Sequence, residues 1–146
     1  MARETGYLYD SAWVFKTSGA IAASAAVATI IDTGSATAQV RGDVVIEVTA
    51  MDIVGNDERY EIVLQGSPDA AFGTDTNIHD IAMISLGPKE TKITDSNKDD
   101  EETSRYIMPF TNCPFGTVYR YLRLYTVCTG ATASITYSAR ASLMKY

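Results

Sequence analysis

Apolar and polar side chains alternate along most of this chain, which is the pattern of β-strands that bury one face. In the segment 60–65, Tyr60, Ile62 and Leu64 share one parity, while Glu61 and Gln65 share the other. The same period predicts strands over residues 43–51, 60–65, 78–86, 105–110, 118–128 and 134–144. Frequent turns and no convincing helical pattern predict an all-β fold, a jelly-roll-like β-sandwich of about eight antiparallel strands with an extended N-terminal segment.

Two turns and one ambiguous stretch complete this pattern. The sequence Gly-Ser-Pro-Asp at 66–69 predicts the end of a strand, and the short glycine-containing link at 129–131 predicts a hairpin between the last two strands. The stretch 20–28 is rich in alanine, which favours helix. Because β-branched residues follow at 27–31 and a turn follows at 32–34, we expect this stretch to be irregular or extended.

The first residues carry a row of aromatic side chains. Tyr7, Tyr9, Trp13 and Phe15 all have odd numbers, so an extended chain places their rings on one face. Residues 1–18 then form either an aromatic arm that docks on a neighbouring subunit or an ordinary first strand that packs on its own core. The residues alone favour neither interpretation over the other.

Length and charge narrow the classes of function. The 146 residues suit a single domain, 1–146, with a core large enough to need no metal or disulfide. A formal net charge of -6 and the lack of a Lys/Arg stripe in the sequence disfavour nucleic-acid binding. The sequence has no apolar run long enough to cross a membrane, and its first residues lack the apolar segment of a secretory signal. We therefore expect no membrane partner, synthesis in a reducing cytoplasm, and free thiols at Cys113 and Cys128.

Residues that could carry chemistry are sparse in the sequence. No nucleophile motif, phosphate-binding loop or zinc-ligand set accompanies His79, the one histidine. The sequence therefore predicts no catalytic, cofactor-binding or metal-binding residue and no enzyme activity. An exposed acidic loop is expected at 87–104, with most of its charge at 95–102. This run begins like a calcium loop, but Asp100 replaces the turn glycine and Tyr106 the closing glutamate, which favours a solvated loop.

Four groups of residues form a composite pattern in a fixed order. They are Asp-Ser-Ala at 10–12, Ile-Ile-Asp-Thr-Gly at 30–34, Tyr-x-Ile-x-Leu-Gln-Gly-Ser-x-Asp at 60–69 with Phe72, and Arg-Tyr-Leu-Arg-Leu at 120–124 before an Ala/Thr-rich last strand. Their order and spacing resemble those of the capsid cement (head decoration) proteins of short-tailed bacteriophages. The alanine-rich stretch 20–28 and the acidic run 95–102 depart from that pattern.

The resemblance implies a structural function without catalysis or a cofactor. Such a protein is made in the cytoplasm of the bacterial host, forms a homo-oligomer, with a trimer as the first expectation, and binds the outer surface of the virion capsid. There it bridges neighbouring copies of the major capsid protein and stabilises the mature head. Tyr7, Tyr9, Trp13 and Phe15 would then contribute to the oligomer or capsid interface. The alternative is a carbohydrate- or receptor-binding module of a phage tail or surface protein, with exposed tyrosine and tryptophan rings as sugar platforms.

Overall fold

The structure is a computed structural model that describes residues 11–55, 57–73, 75–87 and 103–144. In these residues, short 3-10 turns lie at Ser11–Trp13, Asp75–Asn77 and Pro114–Gly116. The strands are β1 (Val14–Ile21), β2 (Ala25–Ala26), β3 (Ile31–Asp32), β4 (Arg41–Met51), β5 (Arg59–Ser67), β6 (His79–Leu86), β7 (Arg105–Thr111), β8 (Tyr121–Thr129) and β9 (Ile135–Leu143). No helix in the described part of the chain is long and apolar enough to span a membrane.

The strands form two antiparallel sheets that pack face to face. The four-stranded sheet has the order β1-β9-β4-β7, and the five-stranded sheet has the order β2-β8-β5-β6, with β3 also paired to β8. The pairings are nested along the chain, since β1 pairs with β9, β2 and β3 with β8, β4 with β7, and β5 with β6. A long antiparallel ribbon rolled into two sheets has this order, which is the jelly-roll sandwich expected from the sequence.

The core lies between the two sheets and follows the strand parity of the sequence. Tyr60, Ile62 and Leu64 on β5 are fully buried, as are Leu122 and Leu124 on β8. From the facing sheet the core receives Phe15, Val44, Ile46, Val48, Met108, Ile135, Tyr137, Ala139 and Ala141. The strands predicted in the middle of the sequence are present as β4 to β7, with ends that differ by at most two residues.

The link between β8 and β9 differs from its prediction. The glycine at 129–131 indicated a hairpin, but β8 and β9 belong to different sheets, so the link crosses the end of the sandwich. Gly130 has a φ of +123°, and a Cβ there would lie 3.0 Å from Glu58 Cα. The hairpin prediction was wrong because a glycine marks a tight backbone and does not determine which strands pair.

Two further segments test the remaining strand predictions. The eighth strand begins at Tyr121 rather than at residue 118, because the backbone N–H of Tyr119 instead donates to the Asn112 carbonyl at 2.8 Å. The alanine-rich stretch 20–28 is irregular or extended, as expected, and contains only the end of β1 and the two-residue β2. Small side chains at that position therefore do not form a helix.

Of the four aromatic residues near the start, Trp13 and Phe15 are among the described residues and lie in the core. Trp13 is 8% exposed and Phe15 is 0% exposed, and their ring centroids lie 6.3 Å apart. These two rings pack in the core of their own domain, as in the alternative of an ordinary first strand, and their contribution to an oligomer or capsid interface stays a prediction. Tyr7 and Tyr9 lie outside the described residues, as does most of the acidic loop, so both predictions stay predictions.

Candidate interaction surfaces

The outer face of the five-stranded sheet brings three polar side chains into one row. Gln65 on β5 lies opposite Arg123 on β8 and opposite Asp80 on β6. Side chains directly opposite in an antiparallel pair are about 5 Å apart, so the three form a continuous line across the sheet. A register shift after Leu64 skips Ile81 and sets Asp80 opposite Gln65. The irregular pairing thereby determines which side chain of β6 joins the row.

Hydrogen bonds hold this row in one arrangement. Arg123 Nε donates to Gln65 Oε1 at 3.0 Å, and Gln65 Nε2 donates to Asp80 Oδ1 at 3.0 Å. The amide of Gln65 therefore stands between the guanidinium and the carboxylate. As a consequence, Arg123 and Asp80 lie on one surface without neutralising each other in a direct ion pair.

Phe72 supports the guanidinium group of Arg123. The Arg123 Cζ lies 4.3 Å from the centroid of the Phe72 ring, a distance at which a cation is attracted to the ring face. Phe72 is 6% exposed and has a φ of +50°, which is uncommon for an aromatic residue. The preceding turn is held by Asp69, whose carbonyl accepts from Phe72 N at 3.1 Å and whose Oδ1 accepts from Ala71 N at 3.0 Å. A strained turn thus places an aromatic ring against Arg123.

A pair of stacked rings lies beside the row. The rings of His79 and Tyr119 have centroids 5.4 Å apart and are nearly parallel, with an interplanar angle of 5°. Tyr119 approaches β5 closely because residue 66 is glycine, and a Cβ on Gly66 would lie 2.7 Å from Tyr119 Cβ. The structure therefore gives His79 a stacking role at the edge of the polar row.

These residues enclose an open concavity, which we call the Arg123 pocket. It is lined by Gln65, Ile78, His79, Asp80, Arg123 and Tyr125 and has a volume of about 510 Å³. It combines hydrogen-bond donors, a carboxylate and aromatic rings. Such a mixture on an open surface suits a polar ligand more than an apolar one, which needs an enclosed site.

Two apolar side chains project from opposite ends of the sandwich, and we call them the loop tips. Phe115 is fully exposed and Val54 is 88% exposed. Val54 follows the end of β4, whereas Phe115 follows β7, whose Thr111 pairs with Arg41 at the start of β4. Strand β4 has 11 residues. At about 3.3 Å per residue, the loop tips are separated by roughly 35 Å along the strand direction.

The backbone around Phe115 is held in a tight turn. Phe115 has a φ of +52°, between Pro114, whose φ is fixed by its ring, and Gly116, with a φ of +84°. Thr117 N donates to the Pro114 carbonyl at 3.1 Å and closes the turn. A phenylalanine in the left-handed region costs about 1–2 kcal/mol. The chain therefore presents this ring to solvent in spite of a conformational penalty.

Asn112 anchors the same loop to the body of the domain. Its side chain is fully buried, accepts a hydrogen bond from Val40 N at 2.8 Å, and donates to the carbonyls of Ala38 at 2.8 Å and Tyr119 at 3.0 Å. These bonds connect the segments before β4 and before β8. Phe115 consequently projects from a loop with a fixed base.

Two buried charged side chains lie beneath the surface, Lys16 in the four-stranded sheet and Glu58 below the loop that carries Val54. Lys16 is 8% exposed, its Nζ donates to the carbonyls of Thr17, Gly19 and Tyr137, and burial lowers its pKa. Glu58 is 0% exposed, and its Oε1 accepts from Gly55 N at 3.0 Å, while among the described residues its Oε2 accepts no hydrogen bond. In the described ranges no group of three His, Cys, Asp or Glu side chains could hold a metal ion. Cys113 and Cys128 are free thiols.

Sequence reasoning identified neither the Arg123 pocket nor the loop tips. Arg123 and Gln65 occupy the solvent-facing parity of two predicted strands, but the sequence does not state that these strands are neighbours. The Pro-Phe-Gly sequence at 114–116 was a local signal for a turn with an exposed ring. Its meaning depends on the exposure of Phe115, which only the structure shows.

Comparison with known proteins adds no relative to this picture. No protein-family model matches the chain, and no curated protein matches it. A function must therefore be argued from the residues and the geometry described above.

Proposed function

We propose that this chain is a capsid cement protein, which binds the outside of a bacteriophage capsid and bridges neighbouring copies of the major capsid protein. The composite sequence pattern suggests the class. The loop tips are the observation that supports bridging most directly. A bridging protein must contact two neighbours at separated points, and Phe115 and Val54 offer two almost fully exposed apolar contacts at opposite ends of the sandwich.

The energetics favour an assembled lattice over free capsid subunits. Burial of one Phe or Val side chain contributes about 1.5–3 kcal/mol. Association costs roughly 4–15 kcal/mol of lost translational and rotational freedom, so one loop tip and its surroundings are a weak anchor. Once one end is bound to a lattice, the second contact becomes intramolecular and costs much less. The protein should therefore bind where two sites have the right spacing, which is a property of the mature shell.

The resemblance also implies a homo-oligomer, and we propose a trimer as the first expectation. Trp13 and Phe15 are buried in the core, so most of the surface for such an assembly would come from other residues. Light scattering of the purified protein at micromolar concentration would measure its mass. A monomer at every concentration would contradict the oligomer and would leave the bridging proposal standing.

The test of the cement function is co-sedimentation with capsids of the phage that encodes the chain. Expanded heads should retain the protein, whereas unexpanded proheads and free capsid subunits should not. Decorated heads should also release their DNA at a higher temperature than bare heads, because binding to one state stabilises that state. Equal recovery with all three forms, or no thermal gain, would contradict the proposal.

Substitutions at the loop tips show whether these residues carry the binding. Phe115→Asn removes the ring and keeps a residue type that tolerates a positive φ, and Val54→Thr keeps the branched shape but replaces a methyl group by a hydroxyl. Each should weaken capsid binding roughly tenfold, from the lost apolar burial. Met83→Gln is the matched control, because Met83 is 56% exposed on an outer sheet face away from the tips. Wild-type binding by both tip variants would place the contact elsewhere.

A further inference from the structure

We propose that the Arg123 pocket binds a sugar through two neighbouring hydroxyl groups. This activity is separate from capsid bridging. The pocket lies on the outer face of the five-stranded sheet, whereas Phe115 and Val54 lie on loops at the ends of the sandwich. A domain fixed to a shell by its ends could therefore keep this face open to a ligand.

Each of the two charged groups of the pocket has polar atoms that make no hydrogen bond within the described residues. Arg123 uses Nε for Gln65, and in the described part of the chain its two terminal nitrogens donate to no acceptor. Asp80 uses Oδ1 for the same glutamine, and among the described residues its Oδ2 accepts no hydrogen bond. The pocket thus offers a pair of donors and a separate acceptor that face the same space.

A sugar can form hydrogen bonds to both of these groups at once. Every hydroxyl group is both a donor and an acceptor, so one hydroxyl can accept from Arg123 while its neighbour donates to Asp80. The carboxylate of Asp80 would repel a simple anion, and the guanidinium of Arg123 would repel a simple cation. The balanced charge of the pocket therefore favours a neutral ligand with neighbouring hydroxyl groups over either ion.

Aromatic rings provide the second element that a sugar requires. Tyr125 lies two residues beyond Arg123 on the same face of β8, and its half-exposed side chain lines the pocket. His79, which is stacked on Tyr119, also lines the pocket. A pyranose ring has apolar C–H groups that can cover such ring surfaces while its hydroxyl groups bond to polar neighbours. The open shape of the pocket suits a ligand that remains partly hydrated.

The donors are oriented before a ligand arrives. The guanidinium of Arg123 is held at its Nε by Gln65 and on one face by the ring of Phe72. Binding therefore immobilises few additional rotatable bonds, which lowers one of the costs that a small site must overcome. For one monosaccharide in a shallow site we expect a Kd on the order of 1 mM, from the free energy that small ligands gain per atom. Several copies on one particle would raise the effective affinity for a surface glycan.

The experiment is a titration of the labelled protein with neutral monosaccharides, followed by two-dimensional NMR of the backbone amides. Glucose, galactose, mannose and N-acetylglucosamine are the probes, and acetate and glycine are the non-sugar controls. At least one sugar should shift the amides of residues 65, 78–80 and 119–125 in a saturable manner. Saturable shifts with glycine or acetate and none with a sugar would overturn the proposal, as would no shift with any probe.

Matched variants attribute the signal to the pocket. Asp80→Asn keeps the acceptor for Gln65 and replaces the free oxygen by a donor, and Arg123→Lys removes the planar pair of donors. Each should weaken the responding sugar roughly tenfold, as expected when a hydrogen bond to a charged group is lost. Arg120→Lys is the control, because Arg120 is already paired with Asp32 at 2.8 Å. Unchanged sugar affinity in both folded pocket variants would refute the site, and capsid co-sedimentation of the same variants should remain at the wild-type level.

Discussion

Because the hydroxyl group of Tyr137 is buried, the sandwich should become less stable at alkaline pH. Tyr137 on β9 is 0% exposed, and its hydroxyl lies 2.6 Å from the Thr126 hydroxyl on β8, in the other sheet. Burial raises the pKa of Tyr137 from 10.0 to about 12, although the hydrogen bond to Thr126 acts in the opposite direction. The folded chain therefore holds a proton that the unfolded chain gives up two pH units earlier.

The size of the effect follows from this difference. Because the pKa is higher in the folded state, the contribution to stability is fully present below the unfolded pKa and is lost as the pH rises through the folded pKa. One pKa unit corresponds to about 1.4 kcal/mol. Between about pH 9 and about pH 11, the wild-type protein should lose about 1.4 kcal/mol of unfolding free energy through this group alone.

Urea denaturation at the two pH values measures the loss, and Tyr137→Phe isolates its source. The variant loses the hydrogen bond to Thr126, which lowers its stability at neutral pH by about 1 kcal/mol. Its unfolding free energy should nevertheless fall with pH less steeply than that of the wild type, by about 1.4 kcal/mol over the same interval. Tyr125→Phe, which removes a hydroxyl from the outer face of β8, controls for the loss of a tyrosine. Parallel pH dependences of wild type and Tyr137→Phe would refute the reasoning.

Three substitutions test other buried polar groups by denaturant unfolding. Lys16→Met leaves three carbonyls without their shared donor and should lower stability by about 2 kcal/mol, less than three full hydrogen bonds because a buried charge also disappears. Asn112→Ala removes three hydrogen bonds at a fully buried site and should cost about 3 kcal/mol. Glu58→Gln keeps the acceptor for Gly55 and removes a buried acidic group, but its NH2 group takes the place of the unpartnered oxygen and also lacks a partner among the described residues, so stability should stay within about 1 kcal/mol of the wild type. Wild-type stability in Lys16→Met or Asn112→Ala, or a loss well above about 1 kcal/mol in Glu58→Gln, would contradict the assigned contacts.

The strands could be predicted from the sequence because burial imposes a strict period on them. Tyr60, Ile62 and Leu64 alternate with polar residues, and a strand with one buried face requires such alternation. The pairing of strands has no comparable local signal. The glycine-containing link after β8 has the same composition whether it closes a hairpin or crosses to the other sheet, and here the packing of Gly130 on Glu58 accompanies the crossing.

The Arg123 pocket could not be predicted for a related reason. Arg123, Gln65 and Asp80 come from three strands, and they meet only because β5 lies between β6 and β8. Their contact also depends on the register shift after Leu64, which exchanges Ile81 for Asp80 opposite Gln65. Sequence parity places Arg123 and Gln65 on an outer face, but a shift of one residue in one strand pair decides whether a carboxylate joins them.

Each of the two candidate surfaces contains a phenylalanine with a positive φ. Among the described residues, the non-glycine positions with a positive φ are Phe72 and Phe115. One ring supports the guanidinium of Arg123, and the other projects fully into solvent at a loop tip. At Phe115 stability alone would favour glycine or asparagine, since these residues adopt the left-handed region at little cost. At Phe72 the burial of the ring offsets the same penalty. Strained residues of this kind persist where the structure around them determines the conformation, and they concentrate at ligand and partner contacts. The strain at the exposed Phe115 thus supports the loop-tip proposal independently of the sequence pattern that suggested a capsid protein.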